Sequence, residues 1–121
     1  MFDRTLGAGG LSNFRGVFMR DGLPRQPKQN ECGILNLDDT GGGGTHWVAW
    51  FKVGSDKFYF DSYGVQPPLE LIKYLKSTVG YNTEEVQPRG SVICGHLCLY
   101  VLKRLTVDLD SFQDILNVLH W

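Results

Sequence analysis

The sequence predicts an α+β fold, in which a small mixed or antiparallel sheet packs against helices. Two runs rich in aromatic and β-branched residues, at 45–53 and 57–61, indicate strands, and the Gly-Ser-Asp segment between them indicates a β-hairpin. Two later segments, at 94–105 and after residue 110, repeat apolar residues at helical spacing. We expect a single domain over residues 1–121, because a chain of this length can bury one core.

The residues before the hairpin predict one irregular segment and one strand. Residues 1–16 are glycine-rich and have no usable periodicity, so we expect them to be mostly irregular. After a proline-containing connection, the run Cys-Gly-Ile-Leu-Asn-Leu at 32–37 predicts a short buried strand. In the strand at 45–53 apolar residues occupy both faces, which predicts that it is covered on both sides.

Helices are predicted for most of the chain after the hairpin. The first begins at the Pro-Pro pair at 67–68 and stops at Gly80, and a short strand near 84–87 follows it. The second helix covers 94–105, and the third follows Asp110. The residues expected to face the core are Leu71, Ile72 and Leu75 in the first helix, Leu97, Val101 and Leu105 in the second, and Phe112, Ile115, Leu116 and Leu119 in the third.

The composition is that of an ordinary globular protein, with 42% hydrophobic residues and a formal net charge of -1. Lysines and arginines are scattered, so no nucleic-acid-binding face is predicted. The apolar runs are too short for a membrane span or a signal peptide. Three cysteines without framework spacing predict free thiols in a reducing, intracellular compartment, and we do not expect secretion.

Four residues, in the order His46, Asp61, Gln87 and Cys94, supply the groups that thiol-based acyl chemistry requires. Such chemistry needs a thiol nucleophile, an imidazole that moves its proton, a carboxylate that orients the imidazole and a donor for the oxyanion. In a hairpin whose turn is centred near Ser55, His46 and Asp61 come within about two residues of direct opposition. The sequence therefore predicts a cysteine protease, with His46 as general base and acid and Asp61 as its orienter.

Cys94 lies where an irregular loop meets a predicted helix. The positive end of the helix dipole and the free backbone N–H groups there lower the pKa of a thiol, so we expect Cys94 to be the nucleophile. The Gln87 side chain and the Cys94 backbone N–H are the expected oxyanion hole. Trp47 is expected to shield the histidine and to form a wall of the substrate cleft, and Gly95 leaves the path of attack open.

Each of these residues also has a simpler interpretation. Asp61 begins an Asp-Ser-Tyr-Gly segment, which is good turn chemistry. Cys94 alone could be a buried core thiol, as we expect for Cys32 and Cys98. A zinc site built from Cys94, His96 and Cys98 would lack the paired Cys-x-x-Cys arms of structural zinc sites. The four-glycine tract lacks the Lys-Ser/Thr pair of a phosphate loop. We expect no metal and no other cofactor.

Three sequence blocks resemble the active-site blocks of the adenain family, the adenovirus maturation proteases. They are Gly-Thr-His-Trp at 44–47, Tyr-Phe-Asp-Ser-Tyr-Gly at 59–64, and Gln87 followed by Cys-Gly-His-Leu-Cys at 94–98. The same order of His, acid, Gln and Cys occurs in the cysteine proteases that process ubiquitin-like proteins. The similarity extends over about residues 14–105, and this chain is much shorter than adenain after the cysteine helix.

This resemblance implies a papain-like or adenain-like cysteine protease core that cleaves capsid precursors of a virus or a virus-like DNA transposon, in the host-cell nucleus or cytoplasm or in the virion. It implies a protein or peptide substrate with glycine before the scissile bond, and an activating peptide as a partner. DNA binding is not expected, because the chain lacks adenain's basic character. Two alternatives use the same chemistry: processing of ubiquitin-like proteins, including isopeptide cleavage, and acyl transfer. A non-catalytic binding module is a third, against which the intact set of four residues argues.

Overall fold

The computed structural model describes residues 13–37, 46–76, 79–84, 94–106, 108 and 110–119. The described residues form five strands and three helices. In chain order these are β1 (Phe14–Met19), β2 (Asn30–Asn36), β3 (Trp47–Val53), β4 (Asp56–Phe60), α1 (Leu69–Leu75), β5 (Gly80–Tyr81), α2 (Cys94–Thr106) and α3 (Phe112–Leu119). None of these helices is long and apolar enough to cross a membrane.

The five strands form one mixed sheet in the order β1-β2-β3-β4-β5. Strands β2, β3 and β4 are antiparallel neighbours, whereas β1 pairs with β2 and β5 pairs with β4 in parallel. Helices α2 and α3 cover one face of the sheet, and α1 covers the other. This arrangement confirms the predicted α+β class, the predicted hairpin and the prediction that β3 is covered on both sides.

The core is divided by the sheet into two clusters, because side chains alternate between its faces. Strand β2 sends Cys32 and Ile34 toward α2 and α3, and sends Leu35 toward α1. The residues buried in the first cluster are Cys32, Ile34, Ala49, Phe60, Cys98, Val101, Leu102, Leu105, Phe112, Ile115 and Leu119. Those buried in the second are Leu35, Val48, Trp50, Tyr59, Leu71, Tyr74, Leu75 and Val79.

Strand β1 was not predicted, and its first three residues belong to the segment 1–16 that was expected to be mostly irregular. It begins at Phe14, and its register places Phe14 opposite Cys32 in a parallel pairing with β2. Its sequence lacks the strict alternation of apolar and polar residues that predicts a strand, and the structure leaves Val17 exposed and the other five residues partly buried. The strand is stabilised by a pairing across 18 residues of chain, which a local pattern does not reveal. Residues 1–12 lie outside the described part of the chain.

Helix α1 and the strand after it also differ from the prediction. The helix ends at Leu75, where Lys76 adopts a left-handed conformation with φ of 68°, and Gly80 belongs instead to β5. Ile72 is 39% exposed, because the buried face consists of Leu71, Tyr74 and Leu75 at helical spacing. Of the strand expected near residues 84–87, Glu84 is not in a strand and residues 85–87 lie outside the described residues.

A buried carboxylate, Glu31, connects three strands with helix α1. It accepts hydrogen bonds from Trp50 Nε1 at 2.8 Å, Tyr74 Oη at 2.7 Å, Arg15 Nη1 at 2.8 Å and the backbone N–H of Lys28 at 2.7 Å. Burial raises the pKa of this carboxyl, but the four hydrogen bonds outweigh burial and hold the pKa below its usual value. The network fixes the indole of Trp50 on the α1 face of the sheet.

Gly33 lies directly beneath the Trp50 ring, which leaves no room for a side chain at this position. A β-carbon at Gly33 would lie 2.4 Å from Trp50 Cη2, and the hydrogen bond to Glu31 holds the ring in place. We expect Gly33→Ala to lower the free energy of unfolding by about 1–3 kcal/mol in urea titrations, the usual effect of overpacking. Gly80→Ala is the matched control, because its added β-carbon would meet Phe58 at 3.4 Å. Equal losses in the two variants would contradict this explanation.

Candidate active site

His46 and Asp61 lie side by side at one end of the central hairpin. His46 directly precedes β3, and Asp61 directly follows β4, whose last paired residue, Phe60, lies opposite Ala49. The distance from His46 Nε2 to Asp61 Oδ1 is 2.6 Å. Both residues are buried, with 8% and 1% of their surface exposed. The structure therefore brings together the two side chains that the hairpin was expected to set near each other.

The hydrogen bonds at Asp61 determine which imidazole nitrogen carries the proton. Asp61 Oδ1 also accepts a hydrogen bond from the backbone N–H of Tyr63, at 2.8 Å. A carboxylate oxygen can only accept, so His46 Nε2 is the donor and Nδ1 of a neutral imidazole carries the lone pair. Nδ1 is buried, and no group among the described residues hydrogen-bonds to it. The pair thus presents a base at Nδ1.

The main chain of Asp61 is held by Asn82, from the segment after β5. Asn82 Oδ1 accepts from the Asp61 N–H at 3.0 Å, and Asn82 Nδ2 donates to the Asp61 carbonyl oxygen at 2.6 Å. The amide is buried, and its Nδ2 also donates to the Glu84 carbonyl oxygen at 3.2 Å. The Asp61 charge also affects Tyr59. The pKa of the Tyr59 hydroxyl is raised mainly by its own burial and, second, by the Asp61 charge. The Asn82 bonds therefore hold the main chain of Asp61, while the Tyr63 N–H and His46 Nε2 contact its carboxylate.

Tyr63 completes the surroundings of the pair. Its ring stacks on the His46 imidazole with 4.2 Å between centroids and an interplanar angle of 0°. Sequence reasoning missed both Tyr63 and Asn82. The sequence does contain a signal for Tyr63. Ala49 pairs with Phe60, and three residues further toward the open end of the hairpin the same register sets His46 opposite Tyr63. No comparable signal exists for Asn82, which reaches Asp61 across 21 residues of chain.

Helix α2 runs along the sheet in the same direction as β3. Near its beginning, Cys98 Sγ donates to the backbone oxygen of Trp47 at 3.4 Å. At its other end, Leu105 and Thr106 line a cavity together with the last residues of β3. Cys94, the first residue of α2, precedes Cys98 by about one turn. The N-terminus of the helix is therefore directed to the end of the sheet that carries His46.

The described residues include only some of the other predicted site residues. The side chain of Cys94, the surroundings of Gly95 and all of Gln87 lie outside them. Trp47 is partly buried at the first position of β3. On α2, His96 is exposed whereas Cys98 is fully buried, so these two members of the zinc alternative face different surroundings.

The two cysteines whose side chains are described, Cys32 and Cys98, are reduced and lie in the core. Burial, together with the charge of Glu31, raises the pKa of Cys32 to about 12, so Cys32 stays protonated near neutral pH. Cys98 has no exposed surface and donates to a backbone carbonyl. Among the described residues, no group of three or more histidine, cysteine and carboxylate side chains is arranged to hold a metal ion. Both thiols are where the sequence predicted them.

Comparison with known proteins relates this fold to a viral protease. No protein-family model and no curated protein matches the chain. Among solved structures it is similar to the ASFV pS273R protease: the selenomethionine form has a TM-score of 0.51 and 26% identity over 74% of this chain and 39% of that chain. A second structure of that protease gives a TM-score of 0.49 and 27% identity, over 74% of this chain and 38% of that one. The chain spans about two fifths of that protease's length.

Proposed function

We propose that the chain is a cysteine endopeptidase in which Cys94 is the nucleophile, His46 the general base and acid, and Asp61 the group that orients His46. The observation that carries this proposal is the hydrogen bond between His46 Nε2 and Asp61 Oδ1, which leaves Nδ1 as a buried base. The direction of α2, which begins at Cys94, supports a thiol close to that base. The similarity to the ASFV pS273R protease supports proteolysis.

In the proposed reaction the Cys94 thiolate attacks the carbonyl carbon of the scissile peptide bond. His46 holds the thiol proton at Nδ1 and gives it to the leaving amine as the acyl-enzyme forms. In the second step His46 takes a proton from a water molecule, and the water oxygen attacks the thioester carbon and releases the Cys94 thiolate. The first turn of α2 contains no acidic residue, which preserves the positive helix terminus that favours a thiolate. The Gln87 side chain and the Cys94 N–H are the proposed donors to the oxyanion.

Selective alkylation tests the nucleophile. We expect iodoacetamide near pH 7 to label native protein at Cys94, because Cys32 is a buried thiol with a pKa of about 12 and Cys98 is fully buried. Peptide mapping by mass spectrometry identifies the labelled residue, and denatured protein is the control in which all three cysteines react. His46→Ala should slow the labelling of Cys94. Dominant labelling of Cys32 or Cys98 in native protein would refute the assignment.

We further propose that the substrate is a viral precursor protein with glycine before the scissile bond. A cleft between the Trp47 indole and the backbone at Gly95 would admit extended chain with almost no side chain at that position. Replacement of this glycine by valine in a peptide substrate is expected to lower kcat/KM strongly, because the β-branched group prevents the attack geometry. A peptide library in which cleavage after large or charged residues is faster than after glycine would rule out this cleft, even with Cys94 as nucleophile.

A further inference from the structure

We propose that Tyr63 is a positioning residue that locks the His46 imidazole onto the Asp61 carboxylate, an inference that rests on the function proposed above. Tyr63 touches both groups. Its ring is parallel to the imidazole at 4.2 Å. Its backbone N–H donates to Asp61 Oδ1 at 2.8 Å, the same oxygen that His46 Nε2 contacts. One residue therefore controls the plane of the base and the position of its acceptor.

The turn that carries Tyr63 is itself rigid. The Gly64 N–H donates to the Asp61 carbonyl oxygen at 2.8 Å, and Gly64 has a φ of 73°, which favours glycine. A β-carbon at Gly64 would lie only 2.8 Å from the backbone oxygen of Thr83, so the segment after β5 packs directly against the turn. Asn82, in that segment, bonds to the Asp61 main chain. The backbone of the turn that carries the Tyr63 ring is therefore held in place.

The stack has two consequences for His46. Rotation of the imidazole about its Cβ–Cγ bond would separate Nε2 from Asp61, and a parallel ring at 4.2 Å obstructs that rotation. In addition, the face of an aromatic ring attracts a cation, so the stack favours the imidazolium that the proposed mechanism pairs with a thiolate. Both effects keep Nε2 on Asp61 and Nδ1 available to the nucleophile.

Proton NMR tests this role without requiring activity. The proton between His46 Nε2 and Asp61 Oδ1 should give a low-field resonance in slow exchange with water, assigned by its loss in His46→Ala. We expect this resonance in wild type and in Tyr63→Phe, which keeps the ring, and broadening by exchange in Tyr63→Leu. Val65→Ala, an exposed substitution in the same loop, is the matched control and should leave the resonance unchanged.

Three results would overturn the proposal: no low-field resonance in wild type, an unchanged linewidth in Tyr63→Leu, or equal broadening in Tyr63→Phe and Tyr63→Leu. Turnover supplies a second readout. We expect kcat to fall about 10- to 100-fold in Tyr63→Leu with little change in KM, and to stay within about threefold in Tyr63→Phe. If the resonance behaves as expected in wild type and in both Tyr63 variants, but wild type neither labels at Cys94 nor cleaves peptides, the proposed function fails while the positioning role of Tyr63 is supported.

Discussion

Replacement of Asp61 by alanine is expected to lower kcat for peptide hydrolysis by about 10⁴-fold, the usual effect of removing the carboxylate of such a triad. The variant leaves His46 Nε2 and the Tyr63 N–H without their shared acceptor. The imidazole can then adopt either tautomer, and the imidazolium loses its counter-charge. Initial rates on a peptide substrate measure the loss, and circular dichroism on the same samples reports folding.

Asp61→Asn distinguishes the two contributions of the carboxylate. The Tyr63 N–H requires an acceptor at the Oδ1 position, so the amide oxygen should occupy it and still accept from His46 Nε2. The tautomer is then kept and only the charge is lost, so we expect turnover between that of wild type and that of Asp61→Ala. Asp56→Ala, at an exposed carboxylate in the same hairpin, is the control and should keep wild-type rates. Near-normal turnover in Asp61→Ala would refute the orienting role.

Replacement of Glu31 by alanine is expected to cause the largest loss of stability, about 3–5 kcal/mol, as when one partner of a buried ion pair is removed. The substitution removes the acceptor that Trp50 Nε1, Tyr74 Oη and Arg15 Nη1 share. Arg15 and Tyr74 keep the Gln26 carbonyl oxygen as an acceptor, whereas the buried indole N–H loses its hydrogen bond. Urea unfolding followed by tryptophan fluorescence measures the effect. A loss of this size is a large fraction of the stability of a small domain.

Two comparisons make this prediction specific to the buried network. Glu70→Ala removes the half-exposed partner of Arg20, 3.4 Å away, and should cost less than about 1 kcal/mol. The pKa of Glu31 is lowered by folding, so its contribution is present at neutral pH and is lost as the pH falls through the folded-state pKa. The difference in stability between wild type and Glu31→Ala should therefore shrink in acid. A difference that is constant with pH would contradict the ionised network.

The sequence by itself determined the hairpin, the helix that begins at Cys94 and the proximity of His46 and Asp61. Each of these features depends on residues that are close together in the sequence. A turn of a few residues sets the register of β3 and β4, and that register brings the ends of the two strands together whatever the rest of the chain does. Apolar periodicity likewise identified α2 and its buried residues Val101 and Leu105.

Only the tertiary structure decided which groups surround His46 and Asp61, and which strands and side chains complete the sheet that carries them. Asn82 reaches Asp61 from 21 residues away, Glu31 is bonded by Tyr74 from 43 residues away, and β1 joins the sheet by parallel pairing. An asparagine or a glutamate in a sequence ordinarily indicates exposed surface, since burial of such a group is costly without partners. The partners that offset this cost come from distant segments, so their placement depends on how the helices and edge strands pack rather than on any local pattern.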